Sequence, residues 1–158
     1  MKRAIDCQLD SLLFGFGLFD KSKKQKLTFP EKVATLNNLG VISPRVLKKI
    51  NQKRNYLEHE FAAPVRDDVE DALDVATLFI AYTDKFLTGA LRDCQICKDG
   101  TEEWFDVTLY YEKNCILVTR RLSGDKENLH EVKKEITSTN DEYFEYLKLF
   151  LSFYKLKK

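Results

Sequence analysis

The hydrophobic period changes along this chain, and that change limits the fold more than any other feature. Over roughly the first ninety residues apolar side chains recur every three or four positions, the spacing of one helix face. Between Trp104 and Arg121 they alternate, as in a strand with one side buried. The pattern predicts a helical bundle followed by a small β element. A length of 158 residues is that of one ordinary domain with, at most, an appended subdomain.

Ile5, Leu9, Leu12, Leu13, Phe16 and Phe19 predict a first helix from about Ala4 to Phe19, weakened by Gly15 and Gly17, and a polar loop follows from Asp20 to Lys26. Thr28-Phe29-Pro30-Glu31 has the form of a capping box with proline in the first turn, and opens a second helix running through Leu39. Gly40 is placed to end it in the left-handed conformation. Ser43 and Pro44 supply the next N-cap and first turn, for a third helix reaching at least Lys53 with Leu47 and Ile50 on one face. After a break at 61–64, Val69, Leu73, Ala76, Ile80, Thr83 and Leu87 mark one face of a long fourth helix, and Val75, Leu78 and Tyr82 a second. A helix apolar on two sides belongs in the middle of a bundle.

Trp104 to Tyr111 and Cys115 to Arg121 predict a β-hairpin around Glu112-Lys113-Asn114. The stretch 129–136 suits either a helix or a third strand. Because an isolated hairpin is marginal in water, a terminal helix carrying Tyr143, Leu147, Phe150 and Tyr154 is expected to cover it. The fold class is therefore mainly α: a four-helix bundle over residues 1–90, with an α+β extension over 91–158, a hairpin plus terminal helix, packed on it.

Composition removes several classes. Apolar residues make up 44% of the chain, with eleven Phe and seven Tyr, enough for a core. Cys7, Cys94, Cys97 and Cys115 read as reduced thiols; Cys94 and Cys97 have metal-ligand spacing, but no second close pair completes a zinc site, and no metal or cofactor is expected. No signal peptide or membrane span is evident, so a cytoplasmic location is expected, away from membranes.

The net charge of +1 hides an asymmetry. Between Lys21 and Arg54 ten cations face Glu31 alone, a net of +9, which leaves −8 for the rest. Much of that lies just downstream, in Glu58, Glu60, Asp67, Asp68, Glu70, Asp71 and Asp74. Such a block can steer a polyanion such as RNA, pair two copies head to tail, or simply form a solvated surface. Lys48, Lys49 and Lys53 are the candidate RNA-binding lysines.

Arg54 lies seven residues after Leu47 and four after Ile50, on an apolar stripe where a charge needs a partner or a pocket. His59 is one of only two histidines, and five residues of unbroken helix would turn it about 140° away from Arg54. Convergence requires a helix end near Leu57. Without it, Arg54 with Glu58 and Asn55 with His59 are ordinary surface pairs at i,i+4.

Arg54-Asn55-Tyr56-Leu57-Glu58-His59 resembles the Arg, polar residue, spacer, His signature of HEPN domains, the higher eukaryote and prokaryote nucleotide-binding family of helical bundles. The Leu39-Gly40-Val41-Ile42 turn before it, Pro64 after it and the long helix that follows resemble bacterial members, so the likeness covers about residues 4–88. It implies a HEPN-like four-helix bundle and a metal-independent endoribonuclease, often a toxin or defence component paired with an antitoxin, with a composite site at a homodimer interface. In that role His59 moves a proton during attack by the RNA 2′-hydroxyl, Arg54 stabilises the phosphorane, and Asn55 orients phosphate or imidazole. Tyr56 and Glu58 are supporting groups. The same segment also resembles helical regulators related to the mannitol-operon repressor, which implies a non-catalytic binding or regulatory module as the second reading.

Overall fold

The computed structural model describes residues 2–42, 45, 47–48, 66–88, 92–97, 100, 103–122 and 130–156. Among these are five α-helices: α1 Lys2–Gly15, α2 Phe19–Lys24, α3 Phe29–Asn38, α4 Arg66–Thr88 and α5 Asp141–Leu156. Four strands, β1 Asp93–Cys97, β2 Glu103–Tyr110, β3 Cys115–Leu122 and β4 His130–Thr137, form one antiparallel sheet in the order β1-β2-β3-β4. The architecture is mixed α and β, so the predicted four-helix bundle with a small hairpin is wrong. The hairpin exists as β2 and β3, but it is the centre of a meander with a further strand on each side.

Left-handed turns fix the paths between the helices. The first helix stops at Gly15 rather than Phe19, because Gly17 takes φ 66° and its N–H, with that of Leu18, bonds back to the Phe14 and Leu13 carbonyls. Gly40 closes α3 in the same way, its N–H on Asn37 O and that of Val41 on Leu36 O. The segment predicted as a loop after Asp20 is helical, and its end repeats the motif with Lys26 at φ 53°. Glu31 begins α3 as its sequence predicts: its carboxylate accepts the Thr28 N–H and hydroxyl, each at 2.7 Å, and these bonds hold it below the usual carboxylate range.

Helix α1 is the hub. Ile5, Leu9, Leu12, Leu13 and Phe16 are buried, and the helix packs on α3 and α4. Gly15 permits the approach to α4, since a Cβ there would lie 3.3 Å from Leu87. Thr83, also buried, donates to Phe79 O and accepts from Gln8 Nε2 of α1. The predicted two-sided α4 buries only Ala76, Phe79, Thr83 and Phe86 fully, and Val69, Leu73, Leu78 and Tyr82 are exposed. The expected central position in a bundle does not hold.

One face of the sheet carries Val107, Leu109, Ile116, Val118 and Ile136, buried under Tyr143, Leu147, Phe150 and Leu151 of α5. These residues and the α1 stripe belong to one hydrophobic cluster. At its junction the Tyr143 hydroxyl donates 2.7 Å to Phe16 O, at the end of α1. Burial pushes that phenol well above the ordinary tyrosine value. The opposite sheet face is open, and Trp104 and Tyr110, for which core packing is the ordinary fate in a strand, are exposed on it.

Candidate functional site

The proposed reacting groups Arg54, Asn55 and His59, the supporting Tyr56 and Glu58, and the candidate phosphate lysines Lys49 and Lys53 all lie outside the described residues. Lys48 is described: it is helical and exposed, next to the buried Leu47. The turn at 39–42, which precedes that segment, packs Leu39, Val41 and Ile42 into the core.

The basic block divides in two. Lys23, Lys24, Lys26, Arg45 and Lys48 are exposed and available to a polyanion. Lys32 is not, being buried between Asp6 and Asp10 of α1, with its Nζ 2.9 Å and 2.7 Å from one oxygen of each. Burial alone lowers an ammonium, but the hydrogen bonds and charges of Asp10 and Asp6 outweigh it and raise Lys32 above its ordinary value. The two carboxylates at i,i+4 beside the Ile5–Leu9–Leu13 stripe are the sequence signal for this clamp. On the other side of the charge balance, Asp67, Glu70, Asp71 and Asp74 are exposed on the first half of α4.

Strand geometry separates the Cys94/Cys97 pair. Cys94 pairs with Val107 on the covered face and Cys97 with Trp104 on the open one, because residues three apart in a strand point to opposite sides. The two thiols cannot converge on one tetrahedral ion. Burial raises the pKa of Cys94 and of Cys115, which keeps both protonated and unreactive near neutrality. No cluster of three His, Cys, Asp or Glu suited to a metal occurs among the described residues.

Among the concave surfaces built from described residues, two bear on a site. The first, about 580 Å³, lies where α1, α2 and the end of α4 meet Arg92 and the 3₁₀ turn Tyr111–Lys113, and Phe14, Phe19 and Tyr111 form its aromatic wall. The second, about 560 Å³, crosses the open sheet face, where Asp106 accepts from Gln95 at 2.9 Å and pairs with Arg121 at 3.0 Å. Sequence reasoning missed the first. Its available signal was Phe14, a large ring set off the buried stripe of α1.

No described helix is long and apolar enough to cross a membrane. Comparison with family models, with curated proteins and with solved structures gave no match, so the functional reading rests on the residues themselves.

Proposed function

We propose that this chain is a cytoplasmic, metal-independent endoribonuclease whose reacting groups are Arg54, Asn55 and His59. The observation that carries the reading is the Arg54-Asn55-Tyr56-Leu57-Glu58-His59 segment at the end of a +9 stretch of sequence. The exposed lysines of α2, with Arg45 and Lys48, support it as a surface that draws a phosphate backbone toward that segment.

The chemistry suits the residue types. The RNA 2′-oxygen attacks the adjacent phosphorus; its proton passes to an imidazole, the bond from phosphorus to the 5′-oxygen breaks, and that oxygen takes a proton. The products are a 2′,3′-cyclic phosphate and a 5′-hydroxyl. Arg54 stabilises the extra charge on the phosphorane, and Asn55 orients it. One candidate catalytic histidine per chain makes acid and base roles awkward, and a two-fold dimer that brings two imidazoles together supplies both.

Incubation with mixed RNA in EDTA is the test. Cleavage that leaves cyclic phosphate ends, abolished in His59→Ala and in Arg54→Ala without a change in thermal melting, is the expected result. Cleavage unchanged in both variants, or lost with EDTA in the wild type, overturns the assignment. RNA binding with no cleavage selects the second reading, a non-catalytic binding module, which the aromatic cavity beside α2 favours because rings and the Arg92 guanidinium line it.

A further inference from the structure

The aromatic cavity is lined by residues outside the Arg54–His59 segment. Its volume, about 580 Å³, is within the range of small-ligand sites. The rings of its wall belong to a continuous chain of contacts that runs past the lining to Lys23. Lys23 Nζ lies 5.0 Å above the Phe19 ring, Phe19 meets Phe14 edge-on at 6.1 Å, Phe14 meets Tyr111 edge-on at 5.7 Å, and the Arg92 guanidinium lies 4.9 Å above Tyr111. Cations thus sit at both ends of a row of rings.

Two features of this row call for a ligand. Phe14 is 51% exposed, so an aromatic ring stands half in water in the middle of the wall. Among the described residues no carboxylate pairs with Arg92; its head group reaches only the ring and hydroxyl of Tyr111. Asp10, which also lines the cavity, is engaged by Lys32 at 2.7 Å. A neighbouring cavity of about 330 Å³ shares Arg92 and Tyr111 and extends the row to Tyr110, where Lys113 lies 5.6 Å from the ring.

We propose that this row is a subsite for unpaired nucleotides of single-stranded RNA, with a base seated against Phe14 and Tyr111 and its phosphate held by Arg92. The inference rests on the RNA reading above and adds to it a place, built from residues other than those of the cleavage motif, where the substrate strand is gripped. Rings flanked by cations offer stacking faces for bases and positive charge for the phosphates beside them. An apolar peptide would leave Lys23 and Arg92 unused. A duplex hides its base faces and cannot stack here.

Fluorescence anisotropy with a labelled single-stranded RNA of mixed sequence and a blunt duplex of equal length tests this, on the full chain carrying His59→Ala so that the probe survives. Phe14→Ala and Arg92→Gln should each weaken single-strand binding by about tenfold, with duplex binding changed by less than about twofold. Phe14→Leu, which keeps an apolar side chain but removes the ring, should match Phe14→Ala, and thermal melting of all three should follow the parent. Unchanged single-strand affinity in these variants overturns the subsite, and so does an equal loss on single strand and duplex or an absence of RNA binding by the parent. Cleavage by the wild type separates the two ideas: cutting with unchanged affinity removes only the subsite, and weakened affinity without cutting leaves the subsite and removes the nuclease.

Discussion

The centre of the covered sheet face excludes water and most of the open face does not, and different forces hold them. Beneath α5 the row Leu109, Ile116, Ile136 is aliphatic across three adjacent strands, and Ile116 and Ile136 are fully buried. On the far side the corresponding positions are Gln95, Asp106 and Thr119, with Arg121 in the next row; Gln95 donates a hydrogen bond to Asp106 and Arg121 pairs with it, both in contact with solvent, while Thr119 is buried. Burial of carbon contributes in proportion to area, whereas an exposed ion pair returns little beyond what its hydration already supplied. Stability should reside on the covered face, which leaves the open face free to vary.

Substitutions can break this contrast in descending order. Ile116→Ala should cost about 3 to 5 kcal/mol in denaturant unfolding, since it opens a cavity where nothing is free to collapse. Gly17→Ala should cost roughly 2 to 4 kcal/mol, because the new Cβ would take a left-handed φ of 66°, run into the Tyr143 hydroxyl and lie 3.2 Å from Asn114 Cα. In a Tyr143→Phe background that penalty should shrink, because the nearest obstructing atom is gone; equal costs in both backgrounds would show that strain alone governs the turn.

Tyr143→Phe itself should cost about 1 to 2 kcal/mol at neutral pH by leaving Phe16 O without its donor. Its pH signature is sharper. Tyr143 and Lys32 both have folded-state values above their ordinary ones, so each contributes stability that is intact below about pH 10 and lost as the pH rises further. The melting temperature should fall steeply above pH 10 in the wild type, and Tyr143→Phe should show only the shallower part due to Lys32. Arg121→Gln, on the open face, should change stability by less than about 1 kcal/mol, and less still in high salt. An effect as large as that of Ile116→Ala would mean that the open face carries part of the core.

Legibility in the sequence followed the range of the interactions. Thr28 with Glu31, Gly40, and the β2–β3 hairpin are set by neighbours within a few residues, and all three form as the sequence predicts. Strand β1, Asp-Cys-Gln-Ile-Cys, is five residues at a sheet edge with no hydrophobic run, and only its pairing with β2 makes it a strand. In β4 the alternation of Val132 and Ile136 is blurred by four charged residues, Glu131, Lys133, Lys134 and Glu135, that an edge strand tolerates. Helix α2 was hidden by its lysines; burial of Ser22 and Leu18 beneath it outweighs that polarity. The burial of Lys32 depends on two aspartates 22 and 26 positions away and on α1 and α3 lying side by side. At the candidate site the short Arg54–His59 signature could be read directly, whereas the aromatic cavity needed Phe14, Arg92 and Tyr111 brought together from three separate stretches.

The hydrogen bond from Tyr143 to Phe16 spans 127 positions of sequence. On the ribosome, α1 is made before the sheet and α5, and its C-terminal corner then waits through synthesis of all four strands before its partner emerges. Until then the Phe16 carbonyl and the apolar end of α1 face water or whatever chaperone is near. The sheet, built from neighbouring strands, can pair as it is extruded. A nascent chain stalled before Tyr143 would therefore hold a formed meander with no lid, and α5 is the helix that closes the end of α1.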